Sequence, residues 1–197
     1  TSPLIRVLGD GARITGLRLR GPDPQRRLAF HYRCFYDPRK LYPVPHEAFY
    51  RLPNSGAIQT TAANLEVDNC EISGWSHCGI YLQDGRGHHL HHNFIHHCQR
   101  MGLGYGVTIN QQAQALIDYN LLQDNKHHLA GTGTPGCGYE ACHNLVLPDT
   151  ESHAHPLTGK PYGQDHLFDM HGGRDRKDGT EIAGAFLKVH HNTFLPR

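Results

Sequence analysis

The sequence predicts an all-β chain, a parallel solenoid of about six coils with roughly 24 residues per coil. Three observations predict it. A six-residue unit recurs six times, its starts fall on a common spacing or about twice that spacing, and short alternating segments precede it. Such internal repetition, with no helical periodicity, is the mark of a repeat architecture.

The unit places an apolar residue five positions before another. It reads Ile14 to Leu19, Val67 to Ile72, Leu90 to Ile95, Ile117 to Leu122, Ala141 to Val146 and Val189 to Phe194. Asn93, Asn120, Asn144 and Asn192 share its fourth position. Asn tolerates the left-handed conformation and bonds nearby backbone, so it suits a tight bend between strands. Gly16 and Asn69 are expected to do the same one position earlier. Upstream lie Ala57-Ile-Gln-Thr, Gly79-Ile-Tyr-Leu-Gln and Gly106-Val-Thr-Ile-Asn, whose alternation predicts strands with one buried face. The 22 glycines and 12 prolines fit a chain of many turns. A β-sandwich would need strands about 8–12 residues apart and would leave the shared Asn position unexplained.

The chain reads as a single domain over 1–197, interrupted by insertions at 22–53, 148–165 and 172–183. The first insertion carries six Lys or Arg and seven of the seventeen Phe, Tyr and Trp residues, which argues for function rather than disorder. A formal net charge of +1 argues against a nucleic-acid partner. No apolar run reaches the roughly 18 residues of a membrane helix, so no membrane span is expected. Cys34, Cys70, Cys78, Cys98, Cys137 and Cys142 form no CxxC motif, and disulfides and buried thiols remain equal readings. The chain shows no leader, so a signal peptide is expected to have been removed or never present; the first coil starts near Ile5 and the last ends at Arg197, so either a piece of a larger protein or ends covered by a partner is expected.

On these units the chain resembles the right-handed parallel β-helix proteins of the pectin-lyase-like superfamily, over about residues 3–21, 54–147 and 165–196. The resemblance implies a polysaccharide or other glycan lying in a groove along the strands, and a secreted or cell-surface location. It specifies chemistry poorly.

The chemistry has to come from residues. His91, His92, His190 and His191 fall inside the repeat unit and read as structural. Adjacent residues of a strand face opposite ways, so a pair such as His96-His97 is not expected to converge on one ion. Asp169 and His171, two apart before a glycine turn, project from one face and suit either acid–base or metal chemistry. His128-Leu129 echoes His166-Leu167, which aligns two neighbouring coils and brings His127 or His128 toward Asp169 and His171. Glu140 opens the next strand. The expected active constellation is therefore His127, Glu140, Asp169 and His171. If a metal binds, His127, Asp169 and His171 are its ligands and zinc, iron or manganese suits them.

A polyuronate lyase or epimerase needs a neutraliser for the carboxylate, a base and an acid. Arg174, Arg176 or a metal could neutralise, His171 or His127 could take the proton, and Tyr139 or Tyr105 could donate. A glycoside hydrolase would use Glu140 and Asp169 as its two carboxylates. A carbohydrate-active enzyme is the first expectation, lyase or epimerase ahead of hydrolase. The alternatives are a non-catalytic glycan- or protein-binding β-helix using Arg39, Tyr36 and Tyr42, and a metal-dependent enzyme with a small-molecule or peptide substrate.

Overall fold

The computed structural model describes residues 3–23, 53–100, 103–150 and 167–195. Three strands make each coil. The first coil holds β1 (Pro3–Val7), β2 (Arg13–Thr15) and β3 (Arg18–Arg20), and the second β4 (Gly56–Thr60), β5 (Glu66–Asp68) and β6 (Glu71–Ser73). The third holds β7 (Cys78–Leu82), β8 (His88–His91) and β9 (Phe94–His96), and the fourth β10 (Tyr105–Ile109), β11 (Gln114–Asp118) and β12 (Leu121–Gln123). The fifth holds β13 (His127–Gly131), β14 (Gly138–Cys142) and β15 (Leu145–Val146). The sixth holds β16 (Phe168–Met170), a one-turn helix α1 (Gly173–Arg176), β17 (Phe186–His190) and β18 (Thr193–Phe194). Corresponding strands of successive coils pair in parallel, giving sheets A, B and C of six strands each. No helix among the described residues is long and apolar enough to cross a membrane.

Side chains of equal position stack into rows, and the inward rows make the core. Sheet A contributes Ile58, Ile80, Val107 and Leu129, sheet B Val67, Leu90, Ile117 and Ala141, and sheet C Ile72, Ile95, Leu122 and Val146, all buried. In the last coil Val189 and Phe194 occupy the same inward rows yet are 45% and 46% exposed. Among the described residues no coil lies beyond them.

The bend between sheets B and C differs from the expectation in one respect. The left-handed residue is the one before the shared Asn: Gly16, Asn69, His92, Tyr119, His143 and His191 all have φ between 52° and 68°. The Asn itself turns inward and builds a ladder. Asn93, Asn120, Asn144 and Asn192 each accept, on Oδ1, the backbone N–H of the preceding coil's residue, from Cys70, Asn93, Asn120 and Asn144 respectively. Their Nδ2 groups donate to the carbonyls of Val67, Leu90, Ile117 and Ala141. A non-glycine residue at positive φ costs roughly 1–3 kcal/mol, and it persists because its neighbours over-determine the bend. Asn125 repeats the device at the corner leading into sheet A, bonding Cys98 N and Ile95 O.

Cys70, Cys78, Cys98, Cys137 and Cys142 are buried free thiols, and Cys34 lies outside the described residues. Burial pushes the Cys78 and Cys98 thiols far up, the latter to about 12, so they behave as small apolar core residues. Gly131, Gly133 and Gly138 are explained by packing against the next coil. A Cβ at Gly131 would meet Met170 Sδ at 2.6 Å, and one at Gly133, whose φ is +69°, would meet the His171 carbonyl.

Candidate functional site

The outer face of sheet A carries a row of Gln59, Tyr81, Thr108, Ala130 and Asp169, in register over five coils. It alternates with the inward row of Thr60, Leu82, Ile109, Gly131 and Met170, as the pleat requires. Hydrogen bonds link the outer residues across coils. Gln59 donates to Gln83 at 2.6 Å, Asn110 Nδ2 to the Tyr81 hydroxyl at 2.7 Å, and Thr132 to Asn110 Oδ1 at 2.9 Å. At the strand starts the rings of Tyr105 and His127 stack with centroids 5.0 Å apart. The row is polar except at Ala130; Thr108 and Ala130 in its middle are buried, Gln59, Tyr81 and Asp169 are half-buried, and the Tyr105–His127 stack borders it.

Asp169 and His171 meet at the far end of this row. His171 Nε2 lies 2.8 Å from Asp169 Oδ2, and His171 Nδ1 contacts Asp175 of α1. The sequence reading missed Asp175 because it expected no helix, and a single turn places residue 175 under residue 171. Asp169, then Asp175, hold the His171 imidazolium above its ordinary range, against the opposing effect of burial. A histidine raised above its unfolded value near 6.5 contributes stability that is complete below that pH and is lost as pH rises through the folded value. The thermal midpoint of the native chain is expected to fall across that window. Asp169→Asn is expected to remove that component, which melts at pH 5.5 and 8.5 compare directly.

The other expected site residues separate. The coils pair Leu129 with Phe168, so His128 stands opposite Leu167, one residue away from the alignment expected from His128-Leu129 and His166-Leu167. His166 lies outside the described residues. His128 is fully buried, and desolvation pushes its imidazole down to about 3. His127 does not close a metal triad with Asp169 and His171. Among the described residues, the groups of three with ligand atoms within 4.8 Å of one another are Glu140–Cys142–His190 and Glu66–Asp68–His91.

Glu140 sits on sheet B, bonded to Lys188 and His190, so it does not share a groove with Asp169 and the expected hydrolase pair is not assembled. Tyr139 points into the core, fully buried, and donates its hydroxyl to the Asp169 carbonyl at 3.0 Å; it is a support for β16, not a proton donor. Arg176 is also structural. Its guanidinium bonds the carbonyls of Thr132, Gly133, His171 and Ile182 and pairs with Asp178, tying the 172–183 loop to the fifth coil. Arg174 pairs with Glu181 at 3.2 Å, both side chains mostly in solvent. Arg39, Tyr36 and Tyr42 lie outside the described residues.

Strand parity predicts opposed side chains for the double histidines, and the structure differs. His92, His97 and His191 adopt the left-handed conformation, so each ring folds back on its predecessor. The Nδ1 atoms of His91–His92, His96–His97 and His190–His191 lie 2.8, 2.8 and 2.7 Å apart. A positive φ at the strand end was the missing signal. His96 and His97 line a recess of about 310 Å³ with Arg20, Glu71 and Ser73. Glu71 lies 3.5 Å from His96 Nε2, an ion-pair contact rather than a full hydrogen bond, and Asp124 lies 3.6 Å from His97 Nε2.

The stacked coils and the inward Asn ladder define a parallel β-helix. The chain belongs to the family described as the right handed beta helix region, whose model matches residues 44–144. That superfamily holds pectate lyase-like enzymes and non-catalytic proteins alike. No curated protein and no solved structure matches the chain.

Proposed function

We propose that the chain holds a uronate-containing polysaccharide along the outer face of sheet A and acts on it by acid–base chemistry, as a lyase or epimerase, at Asp169 and His171. The observation that carries this reading is the Asp169–His171–Asp175 array at the end of the polar row. The fixed amides and hydroxyls of Gln59, Tyr81, Asn110 and Thr132 suit sugar hydroxyls, and the Tyr105–His127 stack offers an aromatic border.

His171, cationic between carboxylates, is the proton donor for the departing oxygen. Asp175 covers its Nδ1 from a one-turn helix and is 64% exposed, so a substrate can displace it. Asp175, once displaced, takes the α-proton, and Arg174 beside it on α1 meets the substrate carboxylate. The location this reading implies is outside the cell or on its surface.

A non-catalytic glycan-binding role is the second reading. One observation favours it: both ring nitrogens of His171 are engaged by carboxylates, leaving neither directed at a ligand. A panel of acidic and neutral polysaccharides separates the readings. New unsaturated uronate ends, or an exchanged C5 proton, support the lyase or epimerase. New reducing ends without unsaturation indicate a hydrolase, for which Asp169 and Asp175 are the available carboxylates. Binding without any product establishes the non-catalytic reading.

A further inference from the structure

Sheet B presents two outward rows that the sheet A site does not use. One runs Arg13, Glu66, His89, Leu116, Glu140, Lys188, and the other Thr15, Asp68, His91, Asp118, Cys142, His190. The same three-residue lattice occurs twice on them: two residues at i and i+2 of one strand, and a histidine on the next coil. The copies are Glu66–Asp68–His91 and Glu140–Cys142–His190.

In the first copy a cation already sits among the carboxylates. Arg13, on the preceding coil, bonds Asp68 through Nε and Nη2, both at 2.8 Å, and approaches Glu66 at 3.2 Å. In the second copy the position equivalent to Arg13 is Leu116, which supplies no charge. The ligand types also change, because a thiol stands where Asp68 stood.

We propose that Glu140, Cys142 and His190 form a site for a borderline divalent transition-metal ion, zinc being the class that a Cys, His and carboxylate set suits. His190 Nε2 and Glu140 Oε1 lie 3.1 Å apart, so the donors already converge. Their outer partners are in place. His190 Nδ1 lies 2.7 Å from His191 Nδ1, while Nε2 donates to Glu140 Oε1 in the metal-free chain, so an ion takes the place of that Nε2 proton and His191 becomes the outer partner of the ligating ring. Lys188 holds Glu140 Oε2 at 3.2 Å and leaves Oε1 for the ion. The His191 ring is in turn stacked on His143, 5.2 Å away.

Three protein ligands leave the fourth position to water. Burial raises the Cys142 thiol pKa, with the Asp118 and Glu140 carboxylates adding to it. Binding therefore releases the thiol proton to solvent, and affinity grows with pH. This site is independent of the polysaccharide reading, which concerns another sheet.

Cobalt(II) titration of the full chain tests the site. One equivalent is expected to give a near-ultraviolet thiolate-to-cobalt charge-transfer band, displaced by zinc. Cys142→Ser should abolish the band. His190→Ala, at an exposed position, should weaken binding at least about tenfold, and His191→Ala about 10–100-fold as an outer partner. Glu66→Gln should leave the titration unchanged. Absence of the band in the native chain, its survival in Cys142→Ser, or unaltered binding in His190→Ala overturns the proposal, with circular dichroism confirming that each variant is folded.

Discussion

Asn120→Ala is expected to lower the thermal midpoint of the chain by roughly 8–16 °C. Asn120 is buried, and its Oδ1 accepts the N–H of Asn93 while its Nδ2 donates to the Leu90 carbonyl and to Asn144 Oδ1. Alanine leaves at least one buried donor and one buried acceptor without these partners. Each such orphan costs about 1–3 kcal/mol, or about 4 kcal/mol for the two. For a chain of this size 1 kcal/mol corresponds to roughly 2–4 °C. The loss is larger than for an isolated Asn because the ladder also holds Tyr119 in its left-handed conformation. Thermal denaturation followed by circular dichroism checks it, and a shift below about 3 °C would mean that the ladder is not what secures this bend.

On the proposed lyase or epimerase reading, His171→Ala and Asp169→Asn are each expected to lower turnover of a uronate polysaccharide by about 10²–10⁴-fold, the range for loss of a positioned proton-transfer group. The two variants differ in mechanism. Alanine removes the donor, whereas Asn at 169 keeps the shape and removes the charge that holds the imidazolium. The native rate should decline as pH rises through the raised value of His171, since the donor must be protonated. In Asp169→Asn that decline should move to lower pH. A rate that is pH-independent in both proteins would remove His171 from the chemistry.

The coils were legible in the sequence because each one repeats an apolar pair at fixed spacing, and Leu90 to Ile95 or Ile117 to Leu122 fall on the strands so expected. The pairing of Asp169 with His171 was also legible, from the two-residue period of a strand. Register between coils was not. It depends on the length of the loop before β16, and an alignment on His-Leu gave the wrong partner by one residue. Parity carried the rest of the error. Tyr139 and Glu140 are neighbours on β14, yet one fills the core and the other faces out over sheet B. The convergent histidine pairs escaped because non-glycine positive φ has no composition signal; Gly16 and Asn69 announce the left-handed corner, while His92, Tyr119, His143 and His191 occupy it without doing so.

The most direct test of the sheet A site measures turnover and binding of one polysaccharide in parallel, for the native chain, His171→Ala and Tyr81→Ala. The site described above predicts that His171→Ala binds the polymer as the native chain does and no longer turns it over. It predicts that Tyr81→Ala, three coils away along the same row, binds more weakly. Native turnover in His171→Ala would contradict the assignment of catalysis to His171, and native binding in Tyr81→Ala the assignment of polymer binding to the outer face of sheet A.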